Sequence, residues 1–386
     1  MKKVGLCVRY DCDNFGSMLQ ILATQKAIEK MGWRYEIIRY NKKTPLFMLK
    51  NVFRVFNPYF MRGKLMAFSK KRKMKAFPDI EKRNSTRLKL IREYRQKYIG
   101  PYSDEYKGFS NLVKGAYKYD AVMVGSDQLW TPAGIKSKFY NLLFVPDSIK
   151  KISFATSFGV SKVPSRQIKE TAKYLDRIDY ISVRELKGYE IVNELTGKEA
   201  VIALDPTLLF NAEEWEEIFS NKNKEEEPYI FAYFLGGNPE HRRAVEKLKA
   251  ETGFKVITCP NMDEFVKGDL TFGDEQRYET DPVDFLNLIR NAEYICTDSF
   301  HGSVFSVLNR KKFMTFNRYS DDEIFSKNSR IESFCTLLGL ENRRYCGNME
   351  NMKIKMDSNI DYDDVDKRIE KLRKETYDFL DKALNG

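Results

Sequence analysis

A chain of 386 residues with 42% hydrophobic and 13% aromatic side chains exceeds one ordinary domain and can bury two α/β cores. Its six cysteines and two histidines offer no CxxC pair and no zinc spacing; Cys7, Cys259 and Cys296, in or beside predicted strands, read as reduced, cytosolic packing. The net charge of +11 is unevenly placed: residues 41–97 hold 18 Lys or Arg against three acids, a local +15 that leaves the remainder at −4.

The first apolar run breaks at Arg9, so the amino terminus is not expected to act as a secretory signal, and no run of 18 apolar residues is present to span a bilayer. Residues 4–8 read as a buried strand, followed by the polar turn Asp11-Cys12-Asp13-Asn14-Phe15-Gly16-Ser17. A helix is predicted over about 18–31, with Leu19, Leu22, Ala23, Ala27 and Met31 on its apolar face, and a strand over 35–39. This is the first βαβ unit of a Rossmann-like sheet. Its turn lacks GxGxxG, so no dinucleotide is indicated, and it serves either a ligand or the fold alone.

The basic insertion, residues 42–97, interrupts the alternation. Phe47, Phe53, Phe56, Tyr59 and Phe60 are interleaved with basic residues before the run Lys70-Lys71-Arg72-Lys73. Such a stretch suits an anionic membrane surface, met through residues 42–75, or is a solvated helical insertion. No nucleic-acid motif accompanies the charge, so no nucleic-acid partner is expected.

Alternation resumes with a strand at 119–124 that ends in Gly125-Ser126-Asp127-Gln128-Leu129-Trp130. A strand at 152–156 and a helix near 166–175 follow. Another strand, 180–183, runs into Arg184-Glu185; after a helix at 186–195, a strand at 200–204 ends in the turn Asp205-Pro206-Thr207. These complete an amino-terminal domain, 1–210. Residues 211–228, polar and weakly periodic, are read as a linker. The second domain, 229–360, contains strands at 229–235 and 255–258, helices at 239–251 and 282–291, and the segment 294–316. That segment is a short strand, the turn Thr297-Asp298-Ser299, a helix over 301–308 and a last strand at 313–316. A short helix at 330–338 and a charged carboxyl-terminal helix within 361–386 close the chain. The expected fold is α/β: two Rossmann-like domains in a GT-B-like arrangement, with a cleft between them and a long C-terminal helix.

In that arrangement His301 stands out, at a strand-to-helix turn beside Gly302 and between Ser299 and Ser303. Unpaired amides and the positive end of a helix dipole favour phosphate there. The cations Lys311 and Lys312 follow one helix length later. By contrast His241 reads as a surface residue and Asp205-Pro206-Thr207 as a structural turn.

The order of motifs resembles the polysaccharide pyruvyl transferase family. The resemblance is carried by Asp13-Asn14-Phe15-Gly16, Tyr119-Asp120 with Gly125-Ser126-Asp127-Gln128-Leu129-Trp130, Ser182-Val183-Arg184-Glu185, Asp205-Pro206-Thr207-Leu208-Leu209 and Asp298-Ser299-Phe300-His301-Gly302-Ser303. It extends over about residues 4–340. It implies a cytosolic enzyme that moves the pyruvyl group of phosphoenolpyruvate onto two hydroxyls of a sugar, in a capsular or other surface polysaccharide precursor, forming a cyclic ketal and releasing phosphate. No step in that chemistry asks for a metal or a redox cofactor. The implied catalytic residues are His301, as general acid or base, and Arg184, whose guanidinium suits a phosphate or carboxylate. Donor-binding candidates in the second domain are Ser299, Gly302, Ser303, Lys311 and Lys312. Acceptor-binding candidates in the first are Asn14, Gly16, Ser17, Ser126, Asp127 and Gln128. For each the alternative is structural: a cap, a packing position or an ordinary ion pair. A lipid-linked acceptor would give the basic segment its purpose at the cytoplasmic membrane face, an inference from charge rather than from the resemblance. Two rivals share the fold: a glycosyltransferase using a sugar nucleotide, and a family member that binds glycans without turnover.

Overall fold

The computed structural model describes residues 2–42, 77–219, 227–261, 265–319 and 328–386. Among these, β1 (Lys3–Cys7), β2 (Arg34–Asn41), β3 (Tyr102–Lys107), β4 (Ala121–Val124), β5 (Lys150–Thr156), β6 (Tyr180–Val183) and β7 (Val201–Ile202) form a parallel sheet in the order β3-β2-β1-β4-β5-β6-β7. Helices α1 (Phe15–Lys30), α2 (Pro78–Tyr98), α3 (Phe109–Ala116), α4 (Ile168–Asp176) and α5 (Leu186–Thr196) belong to this half. After α6 (Ala212–Phe219), a second parallel sheet has the order β10-β9-β8-β11-β12. Its strands are β8 (Tyr229–Tyr233), β9 (Lys255–Thr258), β10 (Glu275–Gln276), β11 (Tyr294–Thr297) and β12 (Lys312–Thr315). With it go α7 (Pro239–Thr252), α8 (Pro282–Asn291), α9 (Phe300–Leu308), α10 (Ser329–Leu338), α11 (Met352–Asp357) and α12 (Tyr362–Asn385).

The central strands are apolar on both faces because helices cover both: β4, β8 and β11 are buried along their whole lengths, as parallel strands require. Each sheet reverses its winding once, between β1 and β4 and between β8 and β11. A crevice opens at the carboxyl ends of strands at such a switch point. The turns at the two switch points hold Asn14, Gly16, Ser17, Ser126 and Asp127 in the first sheet and Asp298, Ser299 and His301 in the second.

One apolar cluster runs through both halves, from Val4, Phe15 and Met18 through Phe210 and Trp215 to Phe231, Phe285 and Phe305. The last helix returns to the first domain. Arg373 donates to the Leu208 carbonyl, the Leu204 amide donates to Thr376 Oγ1, and Trp33 Nε1 donates to Asn385.

Three expectations are corrected. The stretch 211–228, expected to be a linker, contains helix α6. Trp215 and Phe219 are buried there because Trp215, Ile218 and Phe219 share one helical face, and Trp215 packs against Phe210, Phe219 and Phe305. The carboxyl-terminal part of the basic insertion is the ordered helix α2, buried through Asn84, Arg87, Ile91 and Tyr94. His241, expected at the surface, is 3% exposed, its ring against Phe234 and Phe316 at 5.4 and 4.9 Å. The stretch 42–75, expected to meet a membrane, lies outside the described residues apart from Lys42. No helix among the described residues is long and apolar enough to cross a membrane.

Candidate active site

Asn14 starts α1, its side chain accepting from the Ser17 amide, so the polar turn after β1 ends in a capped helix. Gly16, in the first turn, lies directly under the His301 ring: a Cβ there would collide with Nδ1. A glycine inside a helix normally weakens it, and here the close approach of a second domain explains the choice. Ser17 Oγ donates to Asp127 Oδ2 at 2.7 Å. Asp127, at the end of β4, holds a φ of 85°, a conformation few side chains other than Asp and Asn adopt. Its Oδ1 accepts from the Gln128 amide at 2.7 Å. Burial alone would raise this carboxyl, but Arg184, Ser17 and Gln128 outweigh it and hold it below its ordinary value.

From the ends of β6 and β7 come Arg184 and Asp205. Arg184 Nη1 donates to Asp205 Oδ2 at 2.6 Å, and its guanidinium lies 4.4 Å from the Phe300 ring centre. Ser126 Oγ donates to the same Oδ2 at 3.0 Å, while Asp205 Oδ1 accepts from the Thr207 amide and hydroxyl. His301 Nε2 stands 3.7 Å from Oδ2. Burial pushes the Asp205 carboxyl up, yet His301 and Arg184 together drive it far below the carboxylate range. The Arg184 guanidinium is pulled down by burial and raised overall by Asp205, Glu185 and Asp127. Its Nε and Nη2 have no hydrogen-bond partner.

The second domain supplies α9 and the loop after β12. Ser299 caps α9 by accepting from the Gly302 amide, so the helix presents the amides of Phe300 and His301, unpaired by the helix itself. Asp298 accepts from the Leu235 and Gly236 amides at 2.7 and 2.8 Å, which ties the turn after β8 to the turn after β11. Arg318 donates to the Asp298 carbonyl at 3.2 Å. Burial, together with Arg184 and Arg318 nearby, lowers Arg330 to about 10. Arg184 and Arg330 line one small pocket with Phe300, where Glu185 and Asp127 offset part of the positive charge, while Arg318 faces Asp298 at 3.8 Å.

The sequence-predicted residues divide accordingly. His301, Arg184, Gly16, Ser17, Ser126 and Asp127 come together where the two domains meet, joined through Asp205 and the close approach of Gly16 to His301. Asn14 and Ser299 are helix caps. Gly302 packs its backbone on Thr297, and Ser303 Oγ points inward to Ser299 O and Thr315 Oγ1. The Gln128 side chain lies against Gly159. Lys311 and Lys312 are not brought to the cluster. Lys311 precedes β12 and Lys312 opens it, at the amino edge of the sheet, a length of α9 away, about 13 Å at 1.5 Å per residue. There Lys312 pairs with Glu293 and Asp357, both at 3.0 Å, and Tyr362 donates to the Lys311 carbonyl. Sequence reasoning missed Asp205, Arg318 and Arg330. A hint existed for Asp205, an acid directly after a strand; nothing local distinguished the two arginines.

A wide cleft of about 1190 Å³ lies elsewhere, between α1, α2 and α6. Its polar groups already serve one another: Lys30 pairs with Glu214, Tyr35 donates to Glu29, and Gln25 donates to Tyr35 and to the Tyr98 and Gly100 carbonyls. Charge and unpaired donors favour the His301 cluster as the site.

Two facing Rossmann-like sheets closed by a returning helix make this a GT-B protein. Over nearly its whole length the chain is similar to UDP-GlcNAc 2-epimerase from Methanocaldococcus jannaschii (TM-score 0.52, 12% identity, 92% of this chain and 91% of that one). It is also similar to S. aureus MnaA, solved with UDP (TM-score 0.52, 13% identity, 98% and 91%). At these identities the likeness is one of fold. A comparison with curated protein sequences finds no match. The profile of the polysaccharide pyruvyl transferase family matches residues 14–320, and the chain belongs to that family, whose members are transferases acting in polysaccharide pyruvylation.

Proposed function

We propose that the protein transfers the pyruvyl group of phosphoenolpyruvate to two hydroxyls of a sugar in a surface polysaccharide precursor, forming a cyclic ketal. One observation carries this reading: Asp205 Oδ2 stands 3.7 Å from His301 Nε2 and also holds Arg184, whose Nε and Nη2 have no hydrogen-bond partner and which shares a pocket with Arg330. Phosphoenolpyruvate brings a phosphate and a carboxylate on three carbons, and several guanidinium groups with unpaired donors suit such a dianion. The methylene carbon takes a proton while a sugar oxygen bonds to the central carbon and gives up its own proton. The bond from the central carbon to the phosphate oxygen then breaks as the second hydroxyl closes the ring. The second proton leaves with phosphate. His301 is the residue suited to carry protons through these steps. Asp205, with both oxygens engaged by its own domain, balances Arg184 and faces the ring nitrogen Nε2 at 3.7 Å. The acceptor sugar would meet Ser17 and Asp127, and the protein would work in the cytoplasm, with residues 42–75 meeting the anionic face of the membrane when the acceptor is lipid-linked.

Thermal denaturation with phosphoenolpyruvate, set beside a panel of UDP-sugars, tests the donor. At 100 times its dissociation constant a ligand adds about 2.7 kcal/mol, a clear shift. Stabilisation by phosphoenolpyruvate, lost in Arg318→Met and Arg330→Met, is expected. Stabilisation by a UDP-sugar alone would overturn the donor assignment and favour glycosyl transfer.

A further inference from the structure

Helix α2 lies outside both sheets, yet it holds the turn after β1 in the first domain and the turns after β9 and β10 in the second. Near its carboxyl end Arg95 Nη2 donates to the Cys12 carbonyl at 2.8 Å and to Asp13 Oδ1 at 3.0 Å, holding the turn after β1. Two turns earlier on the helix, Arg87 reaches into the second domain. It is 2% exposed. Its Nη1 donates to the Pro260 carbonyl and Nη2 to the Arg277 carbonyl, both at 2.7 Å, and Nε donates to the Tyr278 carbonyl. The guanidinium also lies 5.7 Å from the ring centre of Phe15 and 5.8 Å from that of Tyr278. A fully buried guanidinium served by carbonyls and rings is costly to desolvate, so its five donors must be well placed; a lysine could not reproduce the fork.

The contacts continue to the site from both sides. Phe15 precedes Gly16, the glycine under the His301 ring. On the other side, Asn261 Nδ2 donates to the Leu235 carbonyl at 2.9 Å. The Leu235 and Gly236 amides donate to Asp298, whose carbonyl accepts from Arg318. We infer that α2 is an interdomain strap and that Arg87 is a positioning residue: it sets the donor-side loops 235–236 and 259–261 against the first turn of α1, and so sets the distance between Arg318 and His301. The role in donor binding rests on the reading above; the strap itself does not.

Hydrogen exchange on the whole chain separates the two. In Arg87→Met the amides of Leu235 and Gly236 should exchange at least tenfold faster, while those of β4 and β5 keep wild-type protection. Arg87→Lys should restore little. Asn261→Ala, which cuts the next link and leaves Arg87 in place, should give the same local signature and serves if Arg87→Met does not fold. Unchanged protection at Leu235 and Gly236 in a folded variant would overturn the strap, as would a uniform rise across both sheets, which marks a general stability anchor. The phosphoenolpyruvate-dependent thermal shift should shrink in the same variants. If wild type shows no such shift, the donor reading fails while the exchange result still decides the strap.

Discussion

At Asp205 both carboxylate oxygens are engaged within one domain, by Arg184 and Ser126 on Oδ2 and by Thr207 on Oδ1, before His301 of the other domain approaches. From the sequence Asp-Pro-Thr was a turn, and it is one: Asp205 also caps a short 3-10 helix, Pro206–Leu209. What the local pattern could not carry is that the same carboxylate neutralises a buried arginine. Asp205→Asn takes from the buried Arg184 its one carboxylate at hydrogen-bond distance, leaving Glu185 at 3.6 Å and the field of Asp127, and should cost about 3–5 kcal/mol in urea denaturation, the usual penalty for breaking a buried pair from one side. The pH dependence follows from the depressed carboxyl. Its stabilising contribution is complete above the unfolded value, about 3.9, and is lost as pH falls below that toward the folded value. Wild-type stability should therefore drop more steeply below about pH 4 than that of Asp205→Asn. Parallel acid limbs would sink the claim that this carboxylate is ionised by its neighbours.

Two helices, α1 and α9, meet at their first turns through Gly16 and His301, and both start at sequence-legible caps, Asn14 and Ser299. Their existence was readable from apolar period and capping residues, and their first turns lie where a switch point puts them. Gly16 was legible only as part of a polar turn; that it makes room for His301 is a matter of tertiary approach. Gly16→Ala should improve α1 as a helix by roughly 0.5–1 kcal/mol in propensity while displacing the imidazole. Turnover should fall at least tenfold, with the phosphoenolpyruvate-dependent thermal shift retained; wild-type turnover in that variant would remove His301 from the chemistry. Helix α2 shows the opposite case. Its sequence is so basic that charge dominated the reading, and the periodic buried face of Asn84, Arg87, Ile91 and Tyr94 contains too few apolar residues to announce itself.

The two sheets share one apolar cluster, in which Phe15 of α1 packs against Tyr233 and Phe285 of the second domain and Trp215 against Phe305. Large apolar interfaces couple domains that would otherwise move and melt independently. Urea denaturation followed by tryptophan fluorescence and by far-UV circular dichroism should give one coincident transition; two resolved transitions would show that the halves are energetically separate. By itself the sequence determined the alternation of strand and helix, hence two parallel sheets, and through the order of its motifs the family. Those signals reside in neighbouring residues, in period, caps and turns. The tertiary structure alone decided that Asp205 faces His301, that Arg330 shares a pocket with Arg184 while Lys311 and Lys312 lie a helix length away, and that Arg87 ties the halves together. Burial and Coulomb pairing depend on distance through space, and only the packed sheets set those distances.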